Sequence, residues 1–124
     1  MSTRVSLVAD FGRAVHRLEE VLGLEESEIV RDSAIKRFEL CFDLAWKCLQ
    51  AYARREGLEC QSPRSCLKTA VQLGLLEHDD TWLKMLEDRN LAVHTYRERY
   101  ANELHDRLAG YLTLLSGLSE KLTA

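Results

Sequence analysis

The segment from Arg89 to Tyr96 carries side chains that are suited to cleaving RNA without a metal ion. Arg89 is a permanent cation, and its planar guanidinium can hold phosphate oxygens at two points. His94, five positions later, carries an imidazole, the side-chain group that most readily accepts and releases a proton near neutral pH. Taken alone, this spacing is a weak pattern, and the plain alternative is two polar residues on the surface of a helix.

A straight helix does not bring Arg89 and His94 together, since five positions correspond to about 140° around its axis. Either the helix ends or bends near His94, or a second copy of the chain completes the site. Arg89 also falls on a predicted stripe of apolar and aromatic residues. The other members of this stripe are Trp82, Leu86, Val93 and Tyr96. A cation on such a stripe usually has a function or a partner, and the plain partner is Glu87, Asp88 or another buried carboxylate.

The composition is that of a folded chain with no overall attraction for nucleic acid. Its 124 residues lie in the range of common single domains, and 46% of them are apolar, which is enough for a core. The formal net charge of −3 provides no global positive field. Any contact with RNA must therefore come from a local basic patch, such as Arg89 with Arg97 and Arg99.

The cysteines and the absence of long apolar runs suggest an intracellular environment. Cys41, Cys48, Cys60 and Cys66 include no Cys-x-x-Cys pair, which argues against a zinc site. We expect free, buried thiols that act as small hydrophobes, with a disulfide as the less favoured alternative. No run approaches the ~18 apolar residues that span a bilayer, and Met1–Arg4 lacks the apolar stretch of a signal peptide. We predict a cytoplasmic protein with no membrane segment, no metal and no cofactor.

The first half of the chain repeats apolar residues at helical spacing, and no segment alternates as a strand does. We predict a first helix that ends near Gly23 and a second over residues 28–56. Ser62 and Pro63 are typical of an N-cap followed by the first position of a helix. The short third helix that they begin is predicted to end near Gly74.

The second half predicts two further helices. Asp79 and Asp80 are suited to capping the first of them, and we prefer this role to a metal site with His78. The last helix has the most regular apolar spacing. Its stripe consists of Ala101, Leu104, Leu108, Tyr111, Leu115, Leu118 and Leu122. Together the segments predict an all-α fold, an antiparallel up-and-down four-helix bundle with an additional short helix, forming one domain over residues 1–124.

The second predicted helix is apolar on most of its sides. Only a narrow polar edge remains, formed by Glu39, Asp43, Lys47 and Gln50. A helix of this kind must be buried on most sides, and in so small a bundle this suggests an interface with a second subunit. We therefore predict at least a homodimer that is buried partly through this helix.

These segments together resemble the HepT-like branch of the HEPN superfamily, whose members have been described as nucleotidyltransferase substrate-binding proteins. Residues 37–47, with the sequence RFELCFDLAWK, resemble the family's long second helix, and Ser62-Pro63-Arg64 resembles the start of its third. Residues 86–96 are similar to the family signature, in which a polar residue follows the arginine, a histidine comes next and a tyrosine lies two residues further on. The resemblance spans nearly the whole chain.

The resemblance implies an antiparallel helical bundle that dimerises and places two copies of the motif across a cleft. It implies that Arg89 and His94 are the catalytic pair, that Asn90 supports them and that Tyr96 accepts AMP. It also implies a partner, a small nucleotidyltransferase that is usually encoded nearby. In HepT-like toxin–antitoxin pairs this partner is the antitoxin, and it silences the ribonuclease by transferring AMP to the motif tyrosine.

Three functions remain open at this point. The first is a metal-independent endoribonuclease toxin with RNA as its substrate, and the second is a non-catalytic subunit that presents substrate to a nucleotidyltransferase. A helical scaffold without chemistry is the third. The intact set of arginine, histidine and tyrosine favours the first, because a scaffold does not require all three, whereas the family's usual description favours the second. The chain has no glycine-rich phosphate loop and no paired aspartates on a strand, so we do not expect it to be a nucleotidyltransferase itself.

Overall fold

The structure is a computed structural model that describes residues 3–78 and 80–124 of the chain, with side chains from residue 5 onward. It contains five α-helices and one 3₁₀ turn, and the described residues include no β-strand. The elements are α1 (Thr3–Leu22), α2 (Glu28–Arg55), α3 (Pro63–Gln72), α4 (Asp80–Leu91), the 3₁₀ turn (Ala92–His94) and α5 (Glu98–Thr123). The predicted all-α fold is confirmed.

Local signals set the helix boundaries close to the predicted positions. Ser27 caps α2 by accepting a hydrogen bond from the backbone N–H of Val30, a bond that sequence reasoning did not anticipate. Ser62 caps α3 together with Ser65 in a reciprocal capping box. Gly57, with φ 82°, follows α2, and a side chain would be strained in this conformation. Asp79, one of the two predicted caps of the fourth helix, lies outside the described residues.

Contacts between α2 and α5 show that these two long helices run in the same direction. The ring of Phe38 stacks on that of Tyr111 with centroids 5.5 Å apart. Earlier along both helices, Arg31 donates a hydrogen bond to the side chain of Asn102 at 3.0 Å. Since α1 is joined to α2 by the short connection 23–27, it runs antiparallel to both of them.

The direction of α4 is opposite to that of α5. Trp82, near the start of α4, lines a pocket with Gly117 in the second half of α5. Asp88, near the end of α4, bonds to Arg107 in the first half of α5. The helices α1, α2, α4 and α5 therefore alternate in direction, and α3 is the additional short helix, as predicted. Near its end, α4 lies beside the middle of α2, at Asp43, and beside the first half of α5, at Arg107.

The core consists largely of the predicted apolar stripes. Its most completely buried members include Phe11, Leu18, Phe38, Phe42, Leu49, Met85, Leu104, Leu108 and Leu115. All seven stripe residues predicted for the last helix are buried. The other helices also cover much of the surplus apolar surface of α2, although Leu40 remains 53% exposed. None of the described helices combines the length and the apolarity that crossing a membrane requires.

The expectation of four free thiols is wrong for two of the cysteines. Cys60 and Cys66 form a disulfide, whereas Cys41 and Cys48 are buried thiols outside it. The pairing follows from the start of α3, because the capping box at Ser62 turns the chain back on itself. This turn brings the Cα atoms of Cys60 and Cys66 to 5.1 Å from each other, within the usual span of a disulfide.

Candidate functional site

Arg89 lies in the last turn of α4 and forms a two-point ion pair with Asp43 of α2. Its Nε donates to Oδ1 at 2.8 Å and its Nη2 donates to Oδ2 at 3.0 Å. The side chains of Arg89 and Asp43 are 39% and 33% exposed, so the pair faces an open surface rather than the core. The hydrogen bond from the guanidinium to Asp43 raises the pKa of Arg89 and keeps it charged. The partner is therefore a carboxylate on the predicted polar edge of α2.

The helix ends between Arg89 and His94, which was one of the two predicted alternatives. After Leu91 the chain tightens into the 3₁₀ turn Ala92–His94. Because of this change, the predicted stripe is wrong beyond Arg89. Val93 and Tyr96 are 72% and 73% exposed and do not continue the buried face.

His94 and Tyr96 are both exposed and lie next to each other at the end of this turn. Their ring centroids are 5.9 Å apart, with the rings nearly edge to face. The guanidinium of Arg97 lies over the Tyr96 ring at 5.7 Å from its centroid. Asn90 is exposed in the last turn of α4. No hydrogen bond or ring contact among the described residues joins His94 to Arg89 or Asn90, so the predicted residues lie at the end of α4 and on the turn that follows without forming one contact network.

A surface groove of about 670 Å³ contains the Arg89–Asp43 pair. It follows α2, with α1 on one side and Arg89 of α4 on the other. The groove is lined by Ala14, Arg17, Ser33, Lys36, Arg37, Glu39, Leu40, Asp43 and Arg89. The basic residues that accompany Arg89 are therefore different from those predicted. Arg99 instead pairs with Glu103 at 3.2 Å, and Arg97 covers Tyr96.

Asp88, the residue before Arg89, is fully buried and holds α4 against α5. Arg107 donates to both of its carboxylate oxygens at 2.8 Å. The hydroxyl of Tyr111 donates to Oδ2 at 2.5 Å, and that of Tyr100 donates to Oδ1 at 3.1 Å. Burial alone would raise the pKa of Asp88, but the hydrogen bonds from Arg107 and Tyr111 outweigh it and hold the pKa below its ordinary value. Burial and the neighbouring carboxylate raise the pKa of Tyr100 to about 12, so its hydroxyl stays protonated.

Sequence reasoning missed this buried network, although the sequence contained a signal for it. Met85, Asp88 and Ala92 follow helical spacing, and all three are buried. An acidic residue between two apolar ones on such a face requires a donor from another helix. The donors lie in α5. One of them, Tyr111, was predicted only to be a member of the apolar stripe.

The described residues include no group of three or more histidine, cysteine or carboxylate side chains that could hold a metal ion. The chemistry that the site does offer comes from its own side chains. Arg89 supplies a fixed positive charge in an open groove, and His94 supplies an exposed imidazole that can exchange protons. Tyr96 supplies an exposed hydroxyl that another protein can reach.

The comparison with known families covers almost the whole chain. The sequence model of the family described as "nucleotidyltransferase substrate binding protein like" matches residues 7–124. The chain belongs to this family. The match includes most of α1, all of the later helices and the whole segment from Arg89 to Tyr96.

Two solved structures share the fold of this family member. A protein from Thermus thermophilus is 40% identical and superimposes with a TM-score of 0.86, over 92% of this chain and 99% of its own. The HI0074 protein of Haemophilus influenzae is 19% identical and superimposes with a TM-score of 0.83, over 94% of this chain and 99% of its own. HI0074 is described as having the fold of a substrate binding domain of a nucleotidyltransferase.

A curated relative of this family member carries a different description. It is the probable ribonuclease HepT of Haemophilus influenzae, which is 24% identical over 106 residues. The match covers 78% of this chain and 73% of the relative. The similarity therefore extends over most of both proteins.

Proposed function

We propose that this chain is a metal-independent endoribonuclease of the HepT type, the toxin of a two-component pair with a separate small nucleotidyltransferase. The observation that carries the proposal is the arrangement at the end of α4. Arg89 lies in an open groove, and His94 and Tyr96 lie exposed on the turn that follows. The relative described as a probable ribonuclease HepT supports the same activity. The catalytic unit is the single bundle over residues 1–124.

The proposed reaction is an internal transfer at one phosphodiester of RNA. The ribose 2′-oxygen attacks the adjacent phosphorus, the bond from phosphorus to the 5′-oxygen breaks, and a 2′,3′-cyclic phosphate remains. The 2′-hydroxyl loses a proton and the leaving 5′-oxygen gains one; the imidazole of His94 carries out one of these two transfers, and water carries out the other. A positioned acid or base of this kind typically accelerates a reaction by ~10²–10⁴-fold.

Arg89 binds the phosphate undergoing attack and stabilises the negative charge that gathers on its oxygens. Asp43 already holds the guanidinium at two points, which fixes its plane before RNA arrives. Because the pair is partly exposed, a phosphate can approach the remaining guanidinium N–H groups from the groove. Asn90, in the same turn as Arg89, supports the substrate through its side-chain amide in this proposal.

The proposed silencing reaction uses Tyr96. A nucleotidyltransferase directs the phenolic oxygen to the α-phosphorus of ATP, pyrophosphate leaves, and the phenolic proton is released. The product carries AMP on Tyr96, beside His94 and Arg97. Its phosphate is an anion in a place where RNA would enter, so it blocks the site by occupancy and charge without a change of fold.

We also propose a homodimer. The motif segment exposes two apolar side chains, those of Leu91 at 40% and Val93 at 72%. On α2, outside the groove, Leu44 and Trp46 are only partly buried. Apolar side chains at these positions provide surface that a second subunit would cover.

A second function is favoured by the family description and by the fold of HI0074. In this alternative the chain is a non-catalytic subunit that holds the substrate of its nucleotidyltransferase. The groove would then bind that substrate, and His94 would transfer no proton. The two functions predict different effects of His94, because only the ribonuclease requires an imidazole.

The deciding experiment is cleavage of a single-stranded RNA by the purified chain in the presence of EDTA. We expect cleavage that leaves a cyclic phosphate, and we expect Arg89→Ala and His94→Ala to abolish it with unchanged helical content. His16→Ala is the matched control, because His16 is exposed on α1 and distant in sequence from the motif. Full cleavage by the His94 variant, or loss of cleavage in EDTA, would contradict the metal-independent mechanism through His94, whereas no cleavage with or without EDTA would favour the binding subunit.

A further inference from the structure

We infer that the groove on α2 is a binding site for the RNA strand that continues beyond the cleaved bond, with Arg17, Lys36 and Arg37 as its phosphate ligands. This inference rests on the proposed ribonuclease function and deepens it. The motif segment can perform chemistry at one phosphodiester, but it does not account for how a strand is held. The groove that contains Arg89 supplies the missing surface.

The groove has the length of a strand rather than that of a single phosphate. Along α2 its lining residues extend from Ser33 to Asp43, which is about 15 Å at the rise of a helix. Lys36 and Arg37 lie about 10 Å along the axis from Asp43, the residue that holds Arg89. A phosphate at Arg89 and others at Lys36 and Arg37 can therefore belong to one continuous strand.

The groove is basic, whereas the chain as a whole is acidic. The chain has 17 basic and 20 acidic residues, whereas the groove contains Arg17, Lys36, Arg37 and Arg89 against Glu39 and Asp43. Asp43 is already paired with Arg89, so the other three cations face one remaining carboxylate. Concentrated positive charge on an acidic protein is what a polyanion would recognise.

These cations are available for a ligand. Within the part of the chain that the structure describes, Arg17, Lys36 and Arg37 form no ion pair with a carboxylate. Arg37 is held in place because its Nη1 donates to the backbone carbonyl of Arg17 at 2.7 Å, which ties α2 to α1. Its other guanidinium donors can reach the groove. Leu40, which is 53% exposed in the floor, offers an apolar contact for a base.

A second copy of the chain is a poorer occupant of this groove than RNA. A two-fold interface places the same patch against itself. Here that arrangement would enclose two basic grooves together, with more cations than carboxylates to pair with them, and like charges repel when they are desolvated together. The charge balance therefore favours an anionic strand.

The test compares two double variants that remove the same charges. Arg17→Gln/Lys36→Gln changes the groove but keeps the Arg17 carbonyl that Arg37 uses. Arg54→Gln/Lys68→Gln is the matched control, because both of its residues are exposed and neither lines the groove. The probe is a short, fluorescent, single-stranded 2′-O-methyl RNA, which binds but has no free 2′-hydroxyl and cannot be cleaved. Anisotropy is measured over a range of salt concentrations, and helical content is checked by circular dichroism.

We expect the groove variant to bind the RNA about tenfold more weakly at low salt. The slope of log affinity against log salt should also be shallower by about 1.4, which is the value for two lost phosphate contacts on a single strand. The control should behave as the wild type.

Wild-type affinity and salt dependence in the groove variant would overturn this inference, and cleavage by the wild type would still support the ribonuclease. The opposite result, groove-dependent binding without any cleavage, would support the RNA site and refute the proposed activity. Loss of dimerisation or of nucleotidyltransferase binding, with RNA affinity intact, would assign the groove to a protein partner instead.

Discussion

Arg89 and Asp43 stand 46 positions apart in the chain and form a two-point ion pair across the groove between α4 and α2. The residue proposed to grip phosphate is therefore already oriented by a carboxylate from another helix. This arrangement weakens the binding of phosphate, because the carboxylate repels it, but it fixes the orientation of the guanidinium. Asp43 is thus a positioning residue in the proposed ribonuclease.

The first prediction concerns Asp43→Asn. Removing the negative charge should lower the KM for RNA, while the less constrained guanidinium should lower kcat by about tenfold, which corresponds to a barrier from the bound complex that is ~1.4 kcal/mol higher. Steady-state cleavage kinetics measure both values. Asp32→Asn, an exposed carboxylate on the same helix, is the control. If kcat and KM both stay at their wild-type values, Asp43 has no positioning role.

Asp88 carries the second prediction, which concerns stability. Asp88→Ala should lower the free energy of unfolding by about 3 kcal/mol, the low end for breaking a buried pair, because Arg107 keeps some access to water. Urea denaturation measures this change, and Asp106→Asn, an exposed neighbour on α5, should change it little. A loss no larger than that of the control would mean that the network does not hold α4 to α5.

A pH dependence follows from the same residue. The pKa of Asp88 is lowered in the folded protein, so its contribution to stability is present above the unfolded pKa, about 3.9, and is lost as the pH falls through the lower folded value. The wild type should therefore lose stability more steeply than Asp88→Asn below about pH 4. Denaturation series at several acidic pH values give the two slopes, and equal slopes would exclude this linkage.

The third prediction concerns the site of modification. Co-expression with the nucleotidyltransferase should attach AMP to Tyr96, and Tyr96→Phe should remain toxic in the presence of the partner. Tyr100→Phe is the matched control, because the hydroxyl of Tyr100 is held by Asp88 and should not be modified. Mass spectrometry of the peptides and growth of the cells provide the two readouts. AMP on another residue, or silencing of the Tyr96 variant by covalent modification, would refute this assignment.

The disulfide gives the fourth prediction. Closing the short loop between Cys60 and Cys66, which lie six positions apart, should stabilise the protein by about 2 kcal/mol. A reducing agent should therefore lower the Tm of the wild type and leave that of Cys60→Ser/Cys66→Ser unchanged. Cys41 should not interfere, since burial raises the pKa of its thiol to about 12. An identical response of both proteins to the reducing agent would contradict this prediction.

The fifth prediction concerns assembly. Light scattering at micromolar concentration should give about twice the 14.3 kDa mass of the chain. Val93→Glu should shift the protein towards the monomer, whereas Ile29→Glu, at an 83% exposed position on α2, should not. A wild-type protein that is monomeric at this concentration would remove the dimer and any site that two copies share.

The sequence was sufficient to predict the helices, because their boundaries depend on local signals. Ser62 and Pro63 start α3, and the strict spacing of the last helix identifies its buried face without knowledge of its neighbours. The all-α bundle follows from these local features. The parallel directions of α2 and α5 also follow, because α1, α2, α4 and α5 alternate in direction.

The partners of the polar residues depend on tertiary structure, and for that reason they were predicted poorly. The plain alternative for Arg89 was a pair with Glu87, Asp88 or another buried carboxylate, and its partner is Asp43, a partly exposed carboxylate of another helix. The predicted apolar stripe is wrong beyond Arg89 because a 3₁₀ turn of three residues changes the helical period. The prediction of free thiols is wrong for Cys60 and Cys66 because the turn that begins α3 sets the distance between them.

Asp88 and Arg89 are neighbours in the chain, yet they contact different helices, Asp88 at the interface with α5 and Arg89 in the groove on α2. Folding and the proposed catalysis therefore depend on different, adjacent positions. A descendant of this protein without the proposed activity could replace the arginine with little loss of stability, but it would have to keep the aspartate. Comparing the two positions across natural variants would separate chains suited to the proposed cleavage of RNA from those that only retain the fold.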